Sequence, residues 1–413
     1  VAVLVIVERK DRMTDAFLSK FIHPASTKIV MLIMDGLGGL PAAPGGLTEL
    51  ETARTPHLDR LAGQSSLGLT IPVIHGITNG SGPGHLSIFG YDPIEYEIGR
   101  GALEALGLDF DLQPQDVAAR GNFCLVDEEG VLIDRRAGRL PTAESRELIT
   151  RLREIRVAGV EFYIETVKEH RLAFVMRGEG LSPALSDSDP QTNGVPPLKV
   201  RALKPEAERS AEIANLFIEE AGRLLHGERA ANMITLRGYD RLPTLPSYAE
   251  KYHLKAAAIA INGMYKGVAR LAGMDVLEVG GMTLADELTT LEKYWADYDF
   301  FYLHVKQTDI CGELGDFAGK VAVIEEVDAS LPRILALKPD VVIVGGDHST
   351  PAVMKAHSWH PVPVLVHSKY VRPDNIHEFG ERACQHGSLG VLPATQIMPI
   401  ALANAGRIAK YGG

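Results

Sequence analysis

One pattern recurs along this chain and restricts its fold more than any other: a largely apolar run that ends at or near an acidic residue. "KIVMLIMDG" closes on Asp35-Gly36, "DYDFFYLHVKQTD" on Asp309, and "KPDVVIVGGDHSTP" on Asp347-His348. A run that is apolar at every position predicts a strand buried on both faces, as in a parallel sheet covered by helices. Helical stretches, "TPHLDRLAGQ" and the amphipathic "FAGKVAVIEEVDASLPRILAL", lie between the runs, and "HPVPVLVHS" adds another strand. This alternation predicts an α/β fold, a mostly parallel sheet sandwiched by helices. Glu325, Glu326 and Asp328 in the long helix read as a solvated face.

The middle of the chain follows another rule. "GNFCLVDEEGVLIDRR" and "VEFYIETVKEHRLAFVMRG" hold shorter strands, and the second pair alternates with period two, as in a sheet covered on one face. "ERSAEIANLFIEEAGRLL" predicts a helix, "LSPALSDSDPQTNGVPPLK" a long mobile loop, and "RGYDRLPTLPSY" the linker back. A chain of 413 residues exceeds one ordinary core. We therefore expect a core domain of residues 28–116 and 250–413, interrupted at 117–249 by an inserted smaller α+β domain. Residues 1–27 form an N-terminal extension. Its opening "VAVLVIVERKDR" is apolar over too few residues to cross a bilayer and reads as a tail or an added strand, with Met13 as an alternative start.

A net charge of −11 gives no general field for nucleic acid or an anionic membrane, so neither is an expected partner. An anionic substrate would need local arginines or metal to hold it. Cys124, Cys311 and Cys384 are far apart and form no CxxC, which points to a reduced, cytoplasmic setting.

In open parallel sheets, sites form outside the carboxyl ends of the strands. Three such ends carry metal-ligating residue types: Asp35; Asp309 with Glu313; and Asp347-His348, with His357 following nine residues later. A single strand-end aspartate commonly caps a turn. Several carboxylates in one crevice repel each other unless a cation neutralises them. Mixed carboxylate and imidazole donors suit Mn or Zn better than Ca, and the candidates suffice for two ions, an arrangement that serves in-line phosphoryl transfer. Ser81, in "ITNGSGPGHLSIFGYDP", is the candidate nucleophile, because metal coordination can activate a hydroxyl. The stretch is neither a Walker A loop nor a G-x-S-x-G elbow. Gly82 and Gly84 would let a phosphoryl group approach backbone amides. His85 on its own reads as a satisfied core histidine.

Positive charge concentrates in the middle segment. "LIDRRAGR" holds Arg135, Arg136 and Arg139, with few acidic partners in that stretch. Arg120, His170-Arg171 and Arg237 stand at other strand or loop ends, and Arg100 sits in "GRG". Arginine forks match carboxylate and phosphate oxygens two at a time. Lys306 follows His304 by two residues and is placed to face the metals.

Taken in order, "MDG", "GSGPGHLSIFGYDP" with "IGRGALEALG", "RGNF", "DRRAGR", "HR", "HVKQTD", "KVAVIEEVD" and "DHSTP" with "AHS" resemble the archaeal-type 2,3-bisphosphoglycerate-independent phosphoglycerate mutases of the alkaline phosphatase superfamily. The resemblance runs from about Lys28 to the C-terminus. It implies an alkaline-phosphatase-like core holding two divalent metal ions (Mn, Zn, Co or Mg, with Mn or Zn favoured) and an inserted domain that closes over 3-phosphoglycerate or 2-phosphoglycerate. It further implies Ser81 as the phosphoserine nucleophile, Asp35, Ser81, Asp347 and His348 as one ligand set, and Asp309, Glu313 and His357 as the other. The arginines, His170 and Lys306 would hold the substrate, while His85 or Asp134 would carry protons between the glycerate oxygens. Two departures stand out: Gly82 replaces an Asp of many relatives, and "GELGD" replaces "GHDGD", so Glu313 stands for a His. The alternatives are a metal-dependent phosphomonoesterase with the same phosphoserine step, or an inactive phosphometabolite binder. Oligomeric state is left open, a homo-oligomer included.

Overall fold

The computed structural model describes residues 15–412, so the opening apolar run and Met13 lie outside the described residues. In chain order the strands are β1 (Ile29–Met34), β2 (Ser66–Ile71), β3 (Val117–Val126), β4 (Leu132–Asp134), β5 (Glu161–Lys168), β6 (Arg171–Arg177) and β7 (Met233–Asp240). They continue with β8 (Ala256–Ile259), β9 (Asp275–Val276), β10 (Phe300–Val305), β11 (Val341–Gly345), β12 (Val362–Ser368) and β13 (Gly390–Pro393). The chain divides into two compact units. Among the described residues, one holds 15–91, Pro246–Ile259 and 272–412; the other holds Asp92–Leu245 and Ala260–Leu271.

The first unit is α/β. Its eight strands run in the order β13-β2-β12-β11-β1-β10-β8-β9. Strand β12 pairs antiparallel with both neighbours, and every other pairing is parallel. The continuous apolar runs are buried on both sides, as a parallel sheet requires. Val30, Leu32, Phe301 and Leu303 share a core with Ile324, Val327, Leu331 and Ile334 of the helix Phe317–Ala336. Each such side chain contributes about 1.5–3 kcal/mol by leaving water. On the opposite face the rings of Phe300 and Tyr302 meet Tyr248 and Phe89. Asp328 is buried rather than solvated. Its Oδ1 accepts the backbone N–H groups of His57 (3.0 Å) and Leu58 (2.7 Å), donors left open at the first turn of the helix Pro56–Ala62.

The second unit carries an antiparallel sheet in the order β4-β3-β6-β5, with β7 also on β3. Period two decides its faces. Ala119, Phe123, Leu172, Phe174, Ile234 and Leu236 pack on Ile213 and Phe217 of the helix Glu208–Leu225 and on Leu148 and Leu152 of the helix Thr142–Leu152. The alternate residues Arg120, Asn122, Arg171, Thr235 and Arg237 therefore share the other face.

This unit starts before the expected Val117 because the helix Arg100–Gly107 lies across β3. A Cβ on Gly101 would come within 2.3 Å of Ala118 O. The helix Gly263–Leu271 joins the same unit, with Gly267 against Leu106 and Arg270 bonded to Asp109. Two sequence expectations change here. "RGYD", read as linker, is the end of β7, and the loop read as mobile is pinned where Ser188 exchanges hydrogen bonds with Leu236 (2.8 and 2.7 Å). Among the described residues, no helix is long and apolar enough to cross a membrane.

Candidate metal centre

The functional side chains of the first unit gather at one end of its sheet. Strands β1, β10 and β11 are parallel, so Asp35, Asp309 and Asp347-His348, which follow their last residues, leave at the same edge. Strand β12 runs the other way and presents its start at that edge, which brings in His357, five residues upstream. The stretch expected to be a glycine-rich turn is instead the helix Ser81–Ile88, opened by Gly80. A Cβ on Gly84 would lie 2.5 Å from Asp347 O, so glycine is what lets this helix pass close to the end of β11. The Gly84 N–H donates to Gly80 O (3.1 Å), so this amide is spent within the helix and is not turned toward a phosphoryl group.

Two groups of potential ligand atoms form. One atom each from Asp35, Asp347 and His348 lie within 4.8 Å of one another, and so do one each from Asp309, His348 and His357. His348 belongs to both groups, and its ring stacks on His357 at 3.8 Å. Ser81 Oγ lies 3.0 Å from His348 Nε2. Glu313 stays at the rim, over half exposed, with Oε1 3.7 Å from His357 Nε2.

The donor chemistry fits divalent cations. Asp35 Oδ1 and Asp347 Oδ2 are buried and accept no hydrogen bond, yet each lies 3.3 Å from His348 Nε2. Bare anionic oxygens in a buried site are costly unless a positive charge meets them. Burial alone would raise the Asp35 carboxyl, but the hydrogen bond from His304 (Nε2–Oδ2 2.9 Å) and the nearby Lys306 ammonium hold it well below its usual range. Asp309 is likewise lowered against the pull of burial, through its hydrogen bond with His357 and the Lys306 ammonium. His357 donates from Nδ1 to Asn79 O (2.9 Å), which aims Nε2 at Asp309 Oδ1 (3.4 Å). Burial opposes its charging, but Asp309 pushes its pKa up to about 9.

Around the candidate ligands lies a ring of supports. Lys306 Nζ is 2.6 Å from Asp309 Oδ2 and 3.5 Å from Asp35 Oδ2; these two anions raise its pKa although burial would lower it. His85 is completely buried. Its Nδ1 donates to Ser81 O (2.9 Å) and lies 3.1 Å from Asp347 Oδ2, beneath the ligand carboxylate and closed to solvent. Sequence reasoning overlooked three supports. His304, the penultimate residue of β10, served in the sequence only to place Lys306 two residues later. Thr350 follows His348 by two residues in "DHSTP", and that proximity was the available signal. Lys320 opens "KVAVIEEVD", but nothing local tells it from a solvated helix lysine.

The second unit brings together the predicted cations. Arg120 lies opposite Arg237 across β3 and β7, and Asn122 lies opposite Arg171 across β3 and β6. Burial depresses the Arg237 guanidinium, and Arg120, Arg100 and Arg135 add to the effect against Asp189. His170 is lowered by burial and by Arg171, Arg136 and Arg139. The acids are fewer than the bases. Arg120 pairs with Glu104, while Arg135 (2.8 Å) and Arg237 (3.8 Å) share the buried Asp189, an acidic partner supplied by a distant loop. Asp134 accepts from the backbone of its own turn, Arg136 N (2.8 Å) and Gly138 N (2.6 Å). The Nε atoms of Arg120 and Arg237, Nδ1 of His170 and Oγ1 of Thr235 are buried without a hydrogen-bond partner. Buried donors of this kind normally find one, so an anionic, oxygen-rich ligand suits this face.

Comparison with known proteins converges on one family. A family profile described as 2,3-bisphosphoglycerate-independent phosphoglycerate mutase matches residues 62–230. A protein of Thermus thermophilus named "Probable 2,3-bisphosphoglycerate-independent phosphoglycerate mutase" is 51% identical over 399 residues, covering 96% of this chain and 98% of that one. One of Aquifex aeolicus with the same name is 49% identical over 404 residues, covering 96% and 99%. Among solved structures, the cofactor-independent phosphoglycerate mutase of Thermoplasma acidophilum superposes with a TM-score of 0.74 at 31% identity, over 92% of this chain and 100% of that one. The PH0037 protein of Pyrococcus horikoshii gives 0.77 at 30%, over 94% and 99%.

Proposed function

The chain belongs to the 2,3-bisphosphoglycerate-independent phosphoglycerate mutase family, and on that premise we propose that it interconverts 3-phosphoglycerate and 2-phosphoglycerate through a phosphoserine at Ser81. The observation that carries this is the place of the hydroxyl: Ser81 Oγ lies 3.0 Å from His348 Nε2, the one imidazole common to both groups of ligand atoms. Asp35, Asp347 and His348 would hold one divalent cation, and Asp309 and His357 the other, with Glu313 moving in from the rim. Bound there, such cations neutralise phosphoryl oxygens and ease loss of the serine proton. Glu313 adds a second carboxylate to its set, and oxygen donors favour Mn over Zn.

Ser81 Oγ gives up its proton and bonds to phosphorus as the bond from phosphorus to the glycerate 3-oxygen breaks, and a proton is returned to that 3-oxygen. The 2-hydroxyl then gives up its proton and bonds to the same phosphorus as the bond from phosphorus to Ser81 Oγ breaks, and Ser81 recovers its proton. Lys306, held between Asp35 and Asp309, supplies a fixed positive charge for phosphoryl oxygens. His85 positions Asp347, and Asp134 shapes the turn that presents Arg136 and Arg139. Arg100, Arg120, Arg135, Arg136, Arg139, His170, Arg171 and Arg237 would bind the glycerate carboxylate and hydroxyl oxygens, so that glycerate outlasts the first transfer.

The test is an assay on metal-stripped protein reloaded with Mn, Co, Zn or Mg, given 3-phosphoglycerate without bisphosphoglycerate and read through enolase. The expected product is 2-phosphoglycerate, with turnover abolished in Ser81→Ala. Steady release of inorganic phosphate without 2-phosphoglycerate would make the chain a phosphomonoesterase instead.

A further inference from the structure

We infer that Thr350 is a positioning residue that couples the two cation sites, an inference that rests on the two-cation reading above. Its hydroxyl touches one ligand of each set: Oγ1 lies 2.6 Å from Asp309 Oδ1 and 3.0 Å from His348 Nδ1. The direction of both bonds follows from proton count. An ionised carboxylate only accepts, so the hydroxyl proton points to Asp309. The oxygen is then left to accept, and the proton between Thr350 and His348 belongs to Nδ1. A neutral imidazole carries one N–H, so His348 Nε2 keeps its lone pair. That lone pair faces Ser81 Oγ (3.0 Å) and the bare oxygens Asp35 Oδ1 and Asp347 Oδ2 (3.3 Å each), where only a cation satisfies all of them. One hydroxyl thus orients the carboxylate of the first site and fixes the tautomer with which His348 can serve the second.

Thr350 is itself held through its backbone. Its N–H is shared between Gly36 O (3.2 Å) and Gly38 O (3.0 Å). Its carbonyl accepts from Lys320 Nζ (2.9 Å), and the other two protons of that buried ammonium go to Gly36 O (2.8 Å) and Gly38 O (3.1 Å). Lys320 thereby ties the turn that carries Asp35 to the turn that carries His348. The side chain of Thr350 takes no part in this clamp, so Thr350→Val removes the coupling and leaves the backbone tether in place. Outer-shell partners of metal ligands typically change metal affinity ten- to hundredfold when removed.

The experiment is a calorimetric Mn titration of the full chain, wild type against Thr350→Val and Thr350→Ser, with folding checked by circular dichroism. Both binding steps should weaken about 10- to 100-fold in Thr350→Val, and Thr350→Ser should restore most of the loss. A folded Thr350→Val with wild-type affinity, a loss confined to one step, or a serine variant as weak as the valine one would overturn the inference and leave the two-cation reading intact. A wild type that takes up no Mn would overturn that reading itself. A measurement independent of variant folding is the imidazole nitrogen NMR of the Zn-loaded wild type: Nδ1 of His348 should carry the proton, and a proton on Nε2 would refute the assignment.

Discussion

Gly36 follows Asp35, the first candidate ligand, and replacing it by alanine tests how tightly the site is built. Its φ is +63°, in the left-handed region, and a Cβ there would lie 2.5 Å from Thr350 Oγ1, 2.8 Å from Asp309 Oδ1 and 2.9 Å from Thr350 Cβ. The backbone term costs an L-residue about 1–2 kcal/mol. The added methyl must displace a ligand carboxylate and the hydroxyl that holds it, and overpacking of this kind costs about 1–3 kcal/mol. Together Gly36→Ala should lose about 2–5 kcal/mol, which at about 2–4 °C per kcal/mol lowers the melting temperature by roughly 4–20 °C. Gly45 provides the control. It too is left-handed, at φ +75°, but nothing lies within 4 Å of its missing Cβ, so Gly45→Ala should show the backbone term alone. The assay is denaturant and thermal unfolding of metal-free protein, followed by Mn calorimetry. Gly36→Ala should be the less stable of the two and should bind Mn at least tenfold more weakly than wild type (about 1.4 kcal/mol). Equal stability of the two variants with unchanged Mn affinity would refute the packing argument.

Other consequences are as open to measurement. Burial pushes the Glu287 carboxyl up to about 9, and the neighbouring Asp286 adds to the effect. The folded state therefore keeps a proton that the unfolded state gives up near 4.5. Stability from this group is complete below pH 4.5 and is lost by about 1.4 kcal/mol per pH unit as pH rises toward 9. Glu287→Gln should flatten that slope and exceed the parent at pH 8 in urea melts, whereas parallel slopes would count against it. Chelation should lower the melting temperature. A cation present at a hundred times its dissociation constant adds about 2.7 kcal/mol, and a melt indifferent to EDTA and Mn would contradict a cation site. Arg237→Ala should raise KM for phosphoglycerate and leave Mn affinity unchanged, because Arg237 belongs to the second unit's cationic face; weaker Mn uptake would argue otherwise. Glu313→His should shift preference from Mn toward Zn, read by competitive loading, and an unchanged ratio would remove Glu313 from the ligand set.

The strands were legible because their signal is local. The runs before Asp35 and Asp347 carry no polar side chain, and the one ending at Val305 ahead of Asp309 is broken only by His304; that alone placed β1, β10 and β11 inside a covered parallel sheet. Once those strands are parallel, their ends must share an edge, so the meeting of the three aspartates with His348 followed from topology rather than from any one motif. What stayed hidden depends on contacts distant in sequence. Lys320 reaches Gly36 O across 284 residues, and nothing in "FAGKVAVIEEVD" marks that lysine as different from a solvated one. Asp328 looked like a surface charge until the helix whose open donors it satisfies was beside it. Ser188 and Asp189 lie in a Pro/Ser/Asp-rich stretch whose composition suggests mobility, yet Asp189 answers arginines 54 and 48 residues away in sequence. Gly84 was attributed to a phosphoryl group, and its real constraint, the carbonyl of Asp347, appears only when helix and strand are packed together.

Ser81 as the point of covalent attachment is tested most directly by trapping. Mn-loaded wild type mixed with 3-phosphoglycerate, acid-quenched within one turnover and mapped by mass spectrometry should carry a single phosphate on Ser81. A protein that turns over while its phosphate appears on another residue, or one whose Ser81→Ala variant still forms 2-phosphoglycerate, would contradict the account.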